Sequence, residues 1–157
     1  KAAMELPSFK LKVVGNGPQS QHFIENYAHP NLEFCGFQPA EEVHRILANA
    51  RFSVMPSECY ENNPLAVIES LCLGTPFIGA DTGGIPELVV KDQNGVLFES
   101  GNKADLKKQI HWMWDHADKT FDPGSIADEA RNRFSTDHFY ARIRDIYQDA
   151  LSIPKSS

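Results

Sequence analysis

One carboxylate stands alone in an apolar stretch. Residues 64–73 read Pro-Leu-Ala-Val-Ile-Glu-Ser-Leu-Cys-Leu, with Glu69 as their only charge. Apolar side chains cover almost the whole circumference of such a helix, which predicts burial on most sides. A buried carboxylate without partners is costly, so Glu69 needs a cation, several donors, or a ligand at a cleft. A paired or snorkelling glutamate would meet the same need. Asn63-Pro64 opens the helix as N-cap and first helical residue, leaving free amides over residues 63–66 and a ready anion site. Gly15-Asn16-Gly17-Pro18 is a second segment whose backbone can approach an anion closely, although Gly-x-Gly-Pro is also a plain turn. A diphosphate could bridge the two.

The elements that must position these residues alternate. Residues 9–14 set Phe9, Leu11 and Val13 against Lys10 and Lys12, the period of a half-buried strand. Pro18 suits the first turn of a helix reaching about Ala28. Residues 31–34 form a short strand, and Pro39 opens a helix with Val43, Ile46 and Leu47 on one side and Glu41 and Glu42 in its first turn. Residues 51–55 are a third strand, stopped by Pro56. Gly74 ends the helix of residues 64–73. Residues 76–79 and 95–98 are two further strands, and helices follow over residues 103–116, 124–133 and 137–152. Alternating strand and helix predicts an α/β, Rossmann-like, doubly wound parallel sheet ending in helices. Ligands of such sheets sit at the carboxyl ends of the strands. That puts weight on the loops at residues 15–18, 36–39, 56–63 and 80–86, where Gly83-Gly84 implies close backbone approach.

Composition narrows the field. A chain of 157 residues fits one domain, and its formal charge of -6 argues against a nucleic-acid binder. Cys35, Cys59 and Cys72 are too few and too scattered for a disulfide framework, which makes a reducing, cytoplasmic setting the default. No 18-residue apolar run is present. His22, His29, His44, His111, His116 and His138 lack metal-ligand spacing, so no metal is expected. Trp112 and Trp114 read as packing residues. Cys59 lacks a nearby histidine that would make it a nucleophile. The stripe Phe139, Ile143, Ile146, Tyr147 and Ala150 reads as core, or less simply as contact with another domain.

Pro56-Ser57, Glu61, Pro64, Glu69, Gly74, Pro76, Gly83-Gly84-Ile85-Pro86-Glu87 and Asn94-Gly95 together resemble the C-terminal domain of family 4 glycosyltransferases, retaining enzymes of the GT-B type. Glu61 and Glu69 match the family's Glu-x7-Glu pair. Val14-Gly15-Asn16-Gly17-Pro18 and Phe34-Cys35-Gly36-Phe37 fall where the family has Gly-x-Gly-Pro and Phe-x-Gly segments. The likeness runs from about Leu11 to Leu151.

The resemblance implies roles. Glu61 would hydrogen-bond hydroxyls of the donor sugar and is the catalytic candidate. Glu69 would accept both ribose hydroxyls, and the amides of Leu65 and Ala66 would bind the diphosphate. Phe37 and Gln38 would receive the base. Gly15, Gly17, Asn62, Asn63, Gly83 and Gly84 complete the donor-binding set. The donor would be a UDP- or GDP-hexose, with no cofactor, and the acceptor a growing glycan or glycolipid of a bacterial surface. The partner implied is an N-terminal acceptor domain absent from this sequence, which allows peripheral contact with the inner face of the membrane.

Two departures qualify the match. The family brings an arginine and a lysine to the diphosphate from a segment after its first C-domain strand. Here Lys1-Ala2-Ala3-Met4-Glu5-Leu6 reads as the end of the helix following that segment. The expectation is a sheet short of its first strand, weak donor binding and no turnover by this chain alone. Asn62-Asn63-Pro64 also replaces the family's frequent Phe-Gly, which leaves the sugar open. The rivals are another GT-B enzyme, such as a nucleotide-sugar epimerase or a sugar-phosphate-forming synthase, and a stand-alone nucleotide-binding module.

Overall fold

The computed structural model describes residues 9–152. Its elements run β1 (Leu11–Val14), α1 (Ser20–Asn26), β2 (Leu32–Gly36), α2 (Ala40–Ala48), β3 (Ser53–Met55) and α3 (Leu65–Cys72). They continue with β4 (Phe77–Ala80), α4 (Ile85–Leu88), β5 (Gly95–Phe98), α5 (Lys103–Thr120), α6 (Pro123–Arg133) and α7 (Thr136–Ser152). Every strand pairing is parallel, as the alternation of strand and helix requires. The α/β, Rossmann-like expectation therefore holds, with one difference. Among the described residues the strands form two sheets, β1-β2 and β3-β4-β5, so β1 and β3 each pair on one edge there. The helix end assigned to residues 1–6 lies outside the described residues.

The core sits under β4. All four residues of β4 are buried, the pattern of a parallel strand covered on both faces. Val67 and Leu71 of α3, Ile85 of α4, Met113 of α5 and Ala130 of α6 pack with Phe77 and Ile78 into one cluster. Trp112 and Trp114 are packing residues here: Trp112 stacks on His116 at 5.0 Å, and Trp114 meets Phe9 at 5.2 Å and the Arg51 guanidinium at 4.8 Å.

The end of α3 is fixed by sequence chemistry. Gly74 takes the left-handed conformation, φ +81°, and its N–H donates to the Leu71 carbonyl at 2.9 Å. The Thr75 N–H reaches back to the Ser70 carbonyl, also at 2.9 Å, completing a Schellman-type stop. The Thr75 hydroxyl donates to the Leu47 carbonyl at 2.8 Å, tying α3 to α2. Arg131 of α6 donates to the Cys72 carbonyl at 3.0 Å from the other side.

Several boundaries differ from the sequence reading. Helix α1 begins at Ser20, because the Ser20 hydroxyl accepts from the Gly17 N–H at 2.8 Å and holds Pro18 and Gln19 in the preceding turn. Helix α5 runs four residues past His116, to Thr120. The loop expected over residues 80–86 ends in α4, one short turn with Pro86 near its start. The largest correction concerns α7. Its stripe was expected in the core, yet no residue of α7 is buried, and Phe139, Ile146 and Tyr147 are exposed. Among the described residues α6 is the element that α7 chiefly touches, and its apolar side stays largely uncovered. No helix among these residues is long and apolar enough to cross a membrane.

Candidate functional site

The loop after β3 carries the first glutamate. Pro56 ends the strand, and the Ser57 hydroxyl donates to a Glu61 carboxylate oxygen at 3.2 Å while accepting from the Cys59 N–H at 3.3 Å. Ser57 thereby holds the half-buried Glu61 in place. Sequence reasoning gave Ser57 no role, because a hydroxyl four residues away inside a loop follows no periodicity.

Asn62 and Asn63 are exposed, and Pro64 is buried. The N-cap position belongs to Pro64, with φ -69° and ψ 107°, one residue later than expected, and Asn63 makes no capping bond. The Pro64 carbonyl accepts from Val67 at 3.0 Å and Ile68 at 3.4 Å. No hydrogen bond among the described residues engages the amides of Leu65 or Ala66, which leaves an unsatisfied helix start open to an anion.

Helix α3 is not enclosed on most sides as its composition suggested. Val67, Ser70 and Leu71 face the core, whereas Leu65, Ala66 and Glu69 are exposed on the opposite face, Leu65 to 66%. The reason is geometric: β4, α2 and α6 cover one side of α3 and nothing described covers the other. Glu69 is therefore an accessible carboxylate, and the argument from the cost of burying it falls away. What remains is placement. Glu69 stands one turn beyond Leu65, about 6 Å along the axis, on the face that bears the free amides.

The glycine pair makes the close approach that the sequence implied, and its target is protein. The Gly84 N–H donates to the Glu61 carbonyl at 2.6 Å. Gly83 has φ +58°, and a side chain there would meet the Glu61 nitrogen at 2.8 Å. One at Gly84 would meet the Asn62 carbonyl carbon at 3.0 Å. The loops after β3 and β4 thus form one unit.

Gly15 and Phe37 follow the carboxyl ends of β1 and β2 and are brought together by the Gly15 N–H donating to the Gly36 carbonyl at 2.8 Å. Phe37 is 78% exposed, and the Gln38 side-chain amide donates to the Cys35 carbonyl at 2.6 Å. Gly17 is less available than its motif suggested, because Asn16 and Ser20 side chains accept from its N–H at 3.0 and 2.8 Å. The candidate residues fall into two groups, Gly15, Gly17, Phe37 and Gln38 on one sheet and the rest on the other.

A hollow of about 310 Å³ lies near the amino end of β5 between Asp92, Asn94, Asp122 and Glu129 and shares no residue with the site. A smaller hollow beside the site, about 40 Å³, is lined by Pro56, Glu58, Phe98 and Lys103. No group of three His, Cys, Asp or Glu side chains stands close enough to hold a metal among the described residues. On α3, burial pushes the Cys72 thiol up from its ordinary value.

Known structures define the class. The chain matches Anabaena HepE, solved in complex with UDP, with a TM-score of 0.80 over 94% of this chain and 43% of that one, at 20% identity. Sucrose-phosphate synthase from Thermosynechococcus elongatus gives 0.79 over 96% and 41%, also at 20% identity. These are GT-B glycosyltransferases, and at such identity the likeness shows their fold.

The family follows from sequence: the profile described as glycosyl transferases group 1 matches residues 1–130, and the chain belongs to that family. An uncharacterized glycosyltransferase of Methanocaldococcus jannaschii is 27% identical over 145 residues, 90% of this chain and 41% of that protein. A D-inositol 3-phosphate glycosyltransferase of Corynebacterium kroppenstedtii is 27% identical over 142 residues, 87% of this chain and 31% of that protein. The chain thus spans about two-fifths or less of these relatives' length.

Proposed function

We propose that the chain is the donor-binding half of a retaining family 4 glycosyltransferase that takes a UDP- or GDP-hexose and transfers the sugar to a glycan or glycolipid. One observation carries the reading: the exposed face of α3 sets free amides at Leu65 and Ala66 one turn from the Glu69 carboxylate, beside the Glu61 loop. That spacing suits a nucleoside diphosphate, with its phosphates at the positive end of the helix dipole and its ribose hydroxyls on Glu69. Glu61 then meets hydroxyls of the sugar. The UDP and UDP-glucose complexes of Anabaena HepE, a structural neighbour, support this choice of ligand.

In the reaction the bond between the anomeric carbon and the diphosphate oxygen breaks. The acceptor oxygen bonds that carbon on the same face and gives its proton to the departing phosphate. Preorganised amides stabilise the charge on the leaving group, and no metal is assigned to the task. A further parallel strand between β1 and β3 and an acceptor domain would complete the sheet and roof the α3 face. Both belong, in this proposal, to a longer cytoplasmic protein in contact with the inner membrane face. Relatives named for colanic acid and amylovoran biosynthesis support a surface polysaccharide as product.

Titration of the chain with UDP, GDP and ADP by ligand-observed NMR tests the site. Weak UDP or GDP binding that disappears in Glu69→Ala is expected, together with no sugar transfer by this chain alone. Binding indifferent to Glu69→Ala would remove Glu69 from the site, and silence toward all three nucleotides would remove the donor-site reading.

A further inference from the structure

The geometry points to Gly83 and Gly84 as positioning residues that seat Glu61. The inference rests on the donor reading above for what Glu61 does, and on the page for how it is held. Three facts converge on that residue and its neighbour. The Gly84 N–H donates to the Glu61 carbonyl at 2.6 Å. A side chain at Gly83 would press on the Glu61 backbone, nitrogen at 2.8 Å and oxygen closer, and one at Gly84 on the Asn62 carbonyl. The Ser57 hydroxyl fixes the other end of the same residue through its carboxylate at 3.2 Å.

Glu61 is thus gripped twice, at its main chain by the loop after β4 and at its side chain by its own loop. The obstacles at both glycines are backbone atoms, which cannot swing aside as a flexible side chain would. Any Cβ at Gly83 or Gly84 must displace residues 61 and 62, and Gly83 adds the strain of φ +58°. The neighbouring α3 start stays where it is, because Pro64 is buried and the amides of Leu65 and Ala66 lie beyond the contact. The glycine pair therefore controls the sugar end of the donor and leaves the phosphate and ribose end alone. It sets the gap in affinity between a nucleotide sugar and its nucleotide.

NMR titrations with UDP and UDP-glucose, or GDP and GDP-mannose if guanine is the base bound, test this. In Gly84→Ala the loss of affinity should be far larger for the sugar conjugate than for the nucleotide. The advantage of the sugar conjugate should fall about tenfold, the loss of one charge-assisted hydrogen bond, and amide shifts should be confined to residues 57–63 and 81–85. In a Glu61→Ala background the same glycine substitution should change the advantage no further. An unchanged advantage, or equal losses for nucleotide and conjugate, overturns the inference. If Gly84→Ala fails to fold, hydrogen exchange of the wild-type chain decides: a Gly84 amide protected together with the Glu61 loop supports the seat, and one exchanging at the rate of free peptide refutes it. A wild-type chain that binds neither nucleotide sinks the donor reading instead, and the exchange result still judges the seat.

Discussion

Residues 9–48 and residues 53–133 share one alternation of strand and helix, yet they bury themselves very differently. No described side chain of β1, α1, β2 or α2 is buried, whereas the buried core cluster lies wholly between Val67 and Ala130. The sequences do not explain this, since Leu11, Val13, Leu32 and Phe34 are as apolar as Val54 or Ile78. Neighbours explain it. β4 is paired on both edges, with α3 and α4 packed against it, while among the described residues β1 and β2 pair with no further strand. A two-stranded sheet is marginal by itself, and parallel strands depend on cover over both faces. The exposed Lys12–Glu33 pair at 3.4 Å adds at most about 1 kcal/mol. The donor site proposed above would take its amides and carboxylates from the deep half and its Gly15 and Phe37 loops from the shallow one.

Matched substitutions can break this contrast. Phe77→Ala removes a side chain with no exposure from the centre of the deep half and should cost about 3–5 kcal/mol. Val13→Ala in the shallow half, where the residue is 40% exposed, should cost less than about 1 kcal/mol. Urea unfolding reads both, and equal costs would show that the two halves share one core after all.

Glycine replacements give a second pair. Gly74→Ala forces a left-handed residue into the Pro123 carbonyl oxygen, 2.5 Å from the new Cβ, and should cost about 2 kcal/mol or more. Gly17→Ala, in open space without a positive φ, should stay within about 0.5 kcal/mol of neutral. Thermal melts showing a comparable loss at Gly17 would mean that the first loop is packed as tightly as the end of α3.

The smallest effect concerns pH. The Ser125 hydroxyl at 2.7 Å, and then its N–H at 2.8 Å, hold the Asp122 carboxyl below its ordinary value at the start of α6. A depressed carboxyl stabilises the fold above its unfolded-state pKa, and that contribution is lost as pH falls through the lower folded-state value. The melting difference between wild type and Asp122→Asn should therefore shrink on acidification. A difference that grows toward acid would refute the capping role.

What was legible in the sequence divides along physical lines. Strands and helices showed through periodicity and through the prolines and glycines that bound them, and the end of α3 at Gly74 is the clearest case. The resemblance implied a sheet short of a strand, but that a break falls between β1 and β3 did not show, because pairing depends on which strands are present to pair. Glu69 was misjudged for a related reason: an all-apolar helix announces a wish for cover, and only the packing of β4, α2 and α6 decides which face receives it. The stripe of α7 repeats the lesson, with Phe139, Ile146 and Tyr147 exposed despite their spacing. Helix α4 escaped because four residues carry too little period. The glycine pair was legible as a close approach, though not as one to Glu61.

Among the described residues β1 and β3 each leave one edge unpaired, and that carries a last consequence for this stretch of chain whenever nothing else covers them. Unpaired strand edges offer main-chain donors and acceptors to any passing strand, the first step of edge-to-edge aggregation. Brevity limits that hazard here, since β3 is three residues long and β1 is four, and β1 carries Lys12. Removing that lysine charge or lengthening either strand should raise any tendency of an uncovered edge to pair with another copy.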